Sequence, residues 1–173
     1  MGSGIAEVIG KSAIDVIVRS RSAETAQATK SAIEASLDKQ LAKAKITQEQ
    51  RDSTMSHVSV TSKLEDLANC DLIIESAVED LATKQELFSQ LDKIVKPSCV
   101  LSTNTSTLPV IEMAKSTNRP DKVCGIHFFN PAVLMPLVEV VRPITASDET
   151  IAFANEFVKA CSKDAVQVVD RAG

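Results

Sequence analysis

The sequence predicts an α/β protein with a doubly wound, mainly parallel sheet. Short apolar segments such as residues 71–75 and 99–102 have the length of strands, and they alternate with amphipathic helical segments such as residues 81–95. This alternation is typical of βαβ units, in which a helix crosses between two parallel strands. The helices stop alternating near the end of the chain, so we expect mixed strands at the C-terminal edge of the sheet. Residues 1–173 are predicted to form one domain.

The predicted elements follow from periodicity and composition. Helical periodicity predicts helices at 1–9, 23–45, 47–52, 81–95, 108–114 and 147–162. Short runs rich in β-branched residues predict strands at 15–18, 57–60, 71–75, 99–102, 122–129, 137–142 and 165–169. Ser62 and Glu65 also have the spacing of a helical capping box.

The composition argues against two classes of partner. Hydrophobic residues make up 44% of the chain and aromatic residues only 3%, so aliphatic side chains must dominate the core. The net charge of −4 argues against a nucleic-acid partner, which would need a clustered basic face. The sequence contains no apolar run of about 18 residues that would predict a membrane span. It also lacks a signal-peptide pattern at its N-terminus.

The four cysteines, Cys70, Cys99, Cys124 and Cys161, show neither CxxC pairing nor the spacing of metal ligands. Each lies in or beside an apolar run. They are therefore predicted to be buried free thiols in a reducing compartment, which favours the cytoplasm. No metal site is predicted.

One histidine and one glutamate are spaced for acid–base chemistry. His127, one of two histidines, lies in the strand at 122–129, and Glu139 lies in the strand at 137–142. If the two strands pair antiparallel, their side chains can meet on one face. An imidazole whose tautomer is fixed by a carboxylate can take and return a proton near pH 7. From these residues alone, the favoured interpretation is that His127 is a core histidine with its hydrogen bonds satisfied and that Glu139 faces solvent.

Three motifs around this pair resemble those of the 3-hydroxyacyl-CoA dehydrogenase family. They are a polar turn at 103–107 (TNTST), the sequence GIHFFNP at 125–131 and LVEV at 137–140. Their combination and spacing are specific, and the resemblance runs along the whole chain. It implies hydride transfer between a nicotinamide cofactor and C3 of a 3-hydroxyacyl-CoA, as in the bacterial 3-hydroxybutyryl-CoA dehydrogenases of this family.

The resemblance also implies roles for individual residues. His127 would act as general base or general acid, Glu139 would orient it, and Ser106 would hydrogen-bond the substrate oxygen. Asn130 would help to hold the substrate and the nicotinamide, and Asn104 would lie on the cofactor-side turn.

The N-terminus resembles the end of a dinucleotide fingerprint, which is a strand followed by G-x-G-x-x-G and a helix. Residues 1–6 (MGSGIA) match the tail of the family's motif, with Gly2 in the place of the third glycine. The predicted fold is therefore Rossmann-like, with its first strand absent from this chain. Because that strand is central, its absence is expected to leave two inner strand edges open and the chain unstable on its own. The alternative is that the MGSG start is a cloning scar.

Ser20 stands where an acidic residue normally binds the ribose hydroxyls of adenosine. Arg19 and Arg21 flank it. No carboxylate would repel a 2′-phosphate here and two guanidiniums could bind it, so NADP is predicted in preference to NAD. The alternative is that both arginines point into solvent.

Glu79 and Lys84 match family residues near the nicotinamide side of the cofactor. Without the resemblance, Glu79 would be interpreted as a charge at a helix N-terminus and Lys84 as a surface lysine.

The last residues, 170–173 (DRAG), resemble a D-x-x-G motif that the family continues into an all-helical domain. That domain supplies another active-site asparagine, much of the acyl-CoA cleft and the dimer interface. It is expected to be absent here, so the intact protein is predicted to be a homodimer that acts on an acyl-CoA, and this fragment to be inactive. Two alternatives are another hydroxy-acid dehydrogenase of the superfamily, of the carnitine or gulonate type, and a structural protein that binds nicotinamide, like the lens crystallin that resembles this family.

Overall fold

The computed structural model describes residues 1–171 as alternating helices and strands. The helices are α1 (Gly2–Lys11), α2 (Ala23–Ala42), α3 (Gln48–Ser56), α4 (Leu81–Ile94), α5 (Val110–Ala114) and α6 (Asp148–Ala160). The strands are β1 (Val16–Arg19), β2 (Val58–Thr61), β3 (Leu72–Glu75), β4 (Val100–Thr103), β5 (Val123–Phe128), β6 (Leu137–Arg142) and β7 (Asp164–Val169). All the predicted helices and strands are present, with ends that differ by a few residues. The D-x-x-G motif ends at Gly173, outside the described residues.

Side-chain caps explain where four of the helices begin. Ser22, Thr47, Asp80 and Ser147 precede α2, α3, α4 and α6, and each accepts a hydrogen bond from a backbone N–H of the first turn. The capping-box interpretation of Ser62 and Glu65 is wrong, because a 3₁₀ turn at Glu65–Leu67 follows instead of an α-helix. Thr61 organises this turn, since its hydroxyl accepts from the N–H of Lys63 at 3.1 Å.

Contacts divide the chain into two compact units, which are described separately. The first contains Met1–Asp66 and Asn130–Leu134. Its sheet consists of β1 and β2, paired in parallel. Its buried core contains Ala6 from α1, Ile33 and Leu37 from α2, and Val58 from β2.

The second unit contains Leu67–Phe129 and the chain from Met135 onward. Its five-stranded sheet has the order β3-β4-β5-β6-β7. Pairing is parallel from β3 to β5, antiparallel between β5 and β6, and parallel between β6 and β7. The mixed strands predicted at the C-terminal edge are thus confirmed. Helix α4 contributes buried Phe88 and Leu91, and α6 contributes buried Ile151, Ala154 and Val158.

The strands form two sheets, whereas the sequence predicts one. Within residues 1–171, β1 pairs only with β2, and β3 pairs only with β4, so each has one side without a neighbouring strand. The two inner edges expected beside an absent first strand stay a prediction.

Burial of the cysteines follows the prediction except at one position. Cys99, Cys124 and Cys161 are buried, but Cys70 is only half-buried. Burial raises the pKa of Cys99 to about 11 and that of Cys124 to about 12. Both thiols are therefore protonated near neutral pH. Separately, none of the helices within residues 1–171 combines the length and the apolar character needed to cross a bilayer.

Candidate active site

The antiparallel pairing of β5 and β6 brings His127 and Glu139 together. The two residues are direct partners in the strand register, and Nδ1 of His127 lies 2.9 Å from Oε2 of Glu139. The side chains are 14% and 32% exposed, so the pair is partly shielded but still reachable from solvent. The contact predicted from strand pairing is therefore present.

Close approach of the two strands depends on Gly125. It lies two residues before His127 and pairs with Val141 of β6. A Cβ atom built at Gly125 would be 2.7 Å from the Cβ of Val141, a distance that real side chains do not adopt. Glycine at this position thus allows β5 and β6 to run close together beside the histidine and glutamate.

The loop after β4 supplies a hydroxyl to the other imidazole nitrogen. Oγ of Ser106 lies 3.0 Å from Nε2 of His127. An ionised carboxylate can only accept hydrogen bonds, so Glu139 favours the tautomer with the proton on Nδ1. Nε2 then has a free lone pair, towards which the Ser106 hydroxyl can donate. Ser106, His127 and Glu139 therefore form a continuous hydrogen-bonded row.

Asn104 joins the same loop to the sheet. Its side-chain oxygen accepts the backbone N–H of Phe128 at 2.8 Å, and its own N–H donates to the carbonyl of Glu75 at 2.8 Å. Asn104 therefore connects the ends of β3, β4 and β5. Its predicted place on the cofactor side stays a prediction.

Glu79 holds the loop from a second direction. Its Oε1 accepts hydrogen bonds from the Thr105 hydroxyl and from the backbone N–H of Ser106, the latter at 3.2 Å. Partial burial alone would raise the pKa of Glu79, but the hydrogen bond from Thr105 and the charge of Lys84 outweigh it. The pKa of Glu79 therefore lies below its ordinary value, and the group is an anion at neutral pH.

Lys84 is buried, so its interpretation as a surface lysine is wrong. Its side chain is 1% exposed, and Nζ lies 2.8 and 2.9 Å from the two carboxylate oxygens of Glu75. Nζ also lies 3.4 Å from Oε2 of Glu79. The predicted link of Glu79 and Lys84 to the cofactor stays a prediction.

Sequence reasoning did not identify Glu75 and Asp170 as residues of this region. Glu75 ends the apolar strand β3, and a carboxylate in that position was the only signal in the sequence. Asp170 follows β7, and its carboxylate accepts the N–H groups of Val110 and Ile111 at 2.9 and 2.8 Å. It therefore anchors α5, which follows the loop that carries Ser106.

The other four predicted site residues belong to the first compact unit. Gly2 is the first residue of α1, and Ser20 directly follows β1, where its N–H donates to Thr61 at 3.0 Å. Arg21 is exposed at the start of the next segment. Asn130 is exposed and precedes Pro131 through a cis peptide bond.

Comparison with known proteins gives consistent matches over the whole chain. The profile of the family described as "3-hydroxyacyl-CoA dehydrogenase, NAD binding domain" matches residues 1–171. A 3-hydroxybutyryl-CoA dehydrogenase of Mycobacterium tuberculosis is 38% identical over 175 residues, which cover 100% of this chain and 61% of that protein. Another, of Clostridioides difficile, is 39% identical over 173 residues, which cover 100% of this chain and 62% of that protein.

A solved structure agrees with these matches. The crystal structure of FadB2 from Mycobacterium tuberculosis superposes with a TM-score of 0.97 at 38% identity, covering 100% of this chain and 61% of that one. The chain thus spans about three fifths of the length of the curated relatives it matches.

Proposed function

The chain belongs to the 3-hydroxyacyl-CoA dehydrogenase family and matches its NAD-binding domain, and from this premise we propose that the full-length protein is a dehydrogenase. The proposed reaction transfers a hydride between a nicotinamide cofactor and C3 of a 3-hydroxyacyl-CoA of the 3-hydroxybutyryl-CoA or acetoacetyl-CoA type. The observation that carries the proposal is the row from Ser106 through His127 to Glu139.

The first turn of α1 fits the diphosphate of a dinucleotide. Met1 makes no side-chain cap, and no acidic residue lies in the first turn. Side chains therefore leave the N–H groups of that turn available to an anion, and Gly2 places no side chain between the anion and the backbone. When it is bound, the nicotinamide supplies or accepts the hydride.

The protein's own task is to move the proton of the substrate hydroxyl. Because Nδ1 of His127 bonds to Glu139, Nε2 is the atom that takes this proton in the oxidising direction and returns it in the reducing direction. Glu139 stabilises the imidazolium that forms. Ser106 Oγ, 3.0 Å from Nε2, would hydrogen-bond the same substrate oxygen. Asn130 would help to hold the substrate and the nicotinamide, and Asn104 would support the cofactor-side turn.

We also propose that NADP is preferred over NAD. Ser20 puts no carboxylate at the end of β1. The Nε of Arg19 donates to the carbonyl of Ser62 at 3.3 Å, which engages that guanidinium locally. Arg21 is exposed and is therefore the better candidate to bind a 2′-phosphate.

The compartment and the oligomeric state proposed for the full-length protein are those that the sequence predicts. Cys99 and Cys124 are buried and form no disulfide, which fits a reducing compartment such as the cytoplasm. A homodimer is proposed from the family resemblance, through a domain beyond the residues of this chain.

The experiment that tests the function follows nicotinamide absorbance with acetoacetyl-CoA in the full-length protein, using NADPH and NADH in parallel. Oxidation of either cofactor supports the dehydrogenase, and the ratio of kcat/KM values decides the preference. Cofactor binding without oxidation would contradict the proposed substrate and would favour another hydroxy acid or a structural role.

A further inference from the structure

An ion pair between Glu75 and Lys84 is buried more deeply than the other ion pairs of the described residues. The side chains are 0% and 1% exposed, and Nζ contacts both carboxylate oxygens at 2.8 and 2.9 Å. Removing two charges from water is costly, and a buried pair is often no more stabilising than hydrophobic residues of similar volume. Stability alone is therefore a weak explanation for this pair.

Hydrogen bonds join the pair to three elements. Glu75 ends β3, and its Oε2 accepts the hydroxyl of Thr103, the last residue of β4, at 2.8 Å. Lys84 lies in the first part of α4. Nζ of Lys84 donates to both oxygens of Glu75, and Oε2 of Glu79 lies 3.4 Å from it as a second ion-pair partner. Carboxylates from two segments thus surround the buried ammonium.

Glu79 connects the buried pair to the loop that carries Ser106. One of its oxygens faces Lys84, and the other accepts the hydroxyl of Thr105 and the N–H of Ser106. The Ser106 hydroxyl in turn lies 3.0 Å from Nε2 of His127. Each step from the buried pair to the imidazole is therefore a direct contact.

We infer that Glu75 and Lys84 are positioning residues, which fix Glu79 against the loop and so hold the Ser106 hydroxyl at Nε2 of His127. This inference rests on the proposed function for its kinetic consequences. It gives Lys84 a task different from a direct contact with the cofactor, and it gives Glu75 a role in the reaction.

The first test replaces Glu75 by its neutral isostere in the full-length protein. Glu75→Gln removes the carboxylate that fixes Nζ of Lys84, so the ammonium and Glu79, its remaining anionic partner, can shift together from their present positions. We expect kcat with acetoacetyl-CoA to fall by roughly tenfold to a hundredfold, because small misplacements of reacting groups have effects of this size. The dissociation constant of the cofactor should change less than about twofold, whereas a direct cofactor role of the pair would weaken binding.

A double variant separates positioning from stability. Glu75→Gln with Lys84→Met removes both charges, keeps the volume and leaves an amide oxygen that can accept from the Thr103 hydroxyl, so the melting temperature should return towards that of the wild type. Because Glu79 still lacks its cation, kcat should stay low. The matched control is Asp92→Asn, which breaks the ion pair with Arg119 elsewhere in the same unit and should lower the melting temperature with kcat changed less than about twofold.

A measurement that does not depend on turnover can test the inference even if the proposed substrate is wrong. The ¹⁵N chemical shift of Nε2, assigned with His127→Gln, reports the hydrogen bond from Ser106. Glu75→Gln should move this resonance in the same direction as Ser106→Ala does. The inference is overturned if the double variant regains wild-type kcat, or if Ser106→Ala moves the resonance and Glu75→Gln does not. If the wild type lacks turnover, the proposed function fails and the resonance alone decides the inference.

Discussion

At the scale of single residues, His127 combines two hydrogen bonds that give its nitrogens different tasks. Nδ1 is held by Glu139 at 2.9 Å and Nε2 faces the Ser106 hydroxyl at 3.0 Å. Glutamine at position 127 keeps a polar side chain but cannot carry a proton between these groups. We therefore expect His127→Gln to lower kcat by about 10²- to 10⁴-fold, which absorbance kinetics measures. The cofactor should still bind, which a cofactor titration measures.

The other histidine provides a matched control for this variant. His57 lies in the first compact unit, and its Nδ1 bonds to Asp15 at 2.7 Å. His57→Gln makes the same chemical change and should leave kcat within about twofold of the wild type. Near-normal turnover by His127→Gln would refute the assignment of the acid–base group.

Ser20 allows a residue-scale test of cofactor preference. Ser20→Asp places a carboxylate at the end of β1, where it can accept from ribose hydroxyls and repels a 2′-phosphate. We expect the ratio of kcat/KM for NADPH to that for NADH to fall by at least about tenfold, which corresponds to about 1.4 kcal/mol. Both values come from initial rates with each cofactor.

Arg21→Ala should lower the same ratio through the KM for NADPH, because it removes the proposed 2′-phosphate ligand. Lys45→Ala, which removes an exposed cation elsewhere in the first unit, is the control for bulk charge. A ratio that is unchanged in both Ser20→Asp and Arg21→Ala would show that this turn does not select the cofactor.

At the scale of elements, the site depends on how closely β5 and β6 approach each other. Gly125→Ala would put a Cβ 2.7 Å from the Cβ of Val141 and 2.9 Å from its Cγ2. The strands must then move apart, which typically costs about 1–3 kcal/mol in a well-packed core. Since His127 and Glu139 lie two register steps away, kcat should fall as well. Urea unfolding and absorbance kinetics measure the two effects.

Moving the glycine across the strand pair tests the steric explanation. Gly125→Ala with Val141→Gly removes the opposing Cβ, so part of both the stability and the kcat should return. If Gly125→Ala alone has normal stability and turnover, the spacing of β5 and β6 does not depend on this glycine.

The same two strands show which part of the site could be predicted from the sequence. Side chains alternate along a strand, and a short connection joins β5 to β6, so the pattern showed that His127 and Glu139 could meet if the strands paired antiparallel. The residues alone nevertheless favoured a core histidine and a solvent-facing glutamate, and only the resemblance to the family reversed that interpretation. Burial of Lys84 did not follow from the pattern. A lysine in an amphipathic helix is normally solvated, and the carboxylates of Glu75 and Glu79, which lie outside that helix, make its burial tolerable.

At the scale of the whole molecule, the order and type of the elements were predictable because periodicity and composition are local signals. The division into two sheets could not be predicted from the sequence, since pairing of distant strands is not encoded locally. Contacts such as that of Asp170 with Val110 and Ile111 join residues about 60 positions apart and have no sequence signature.

Acid stability of the whole molecule should depend on a buried carboxylate outside the site. Asp92 of α4 is 5% exposed at its side chain and accepts from Arg119 Nε at 2.6 Å and from the Asn118 N–H at 2.9 Å. Burial alone would raise the pKa of Asp92, but these hydrogen bonds lower it below its ordinary 3.8. A carboxylate with a depressed pKa stabilises the fold above its unfolded pKa, and this stabilisation is lost as the pH falls through the folded pKa.

Asp92→Asn should therefore lower the free energy of unfolding by about 1–3 kcal/mol at pH 7, because it leaves Arg119 without its anionic partner. The difference from the wild type should shrink as the pH falls below about 4, since protonation then removes the same charge from Asp92. Urea unfolding at pH 7, 5, 4 and 3 measures both curves. Asp164→Asn, an exposed position on β7, should match the wild type at each pH. A difference for Asp92→Asn that stays constant with pH would show that its contribution is steric and not ionic.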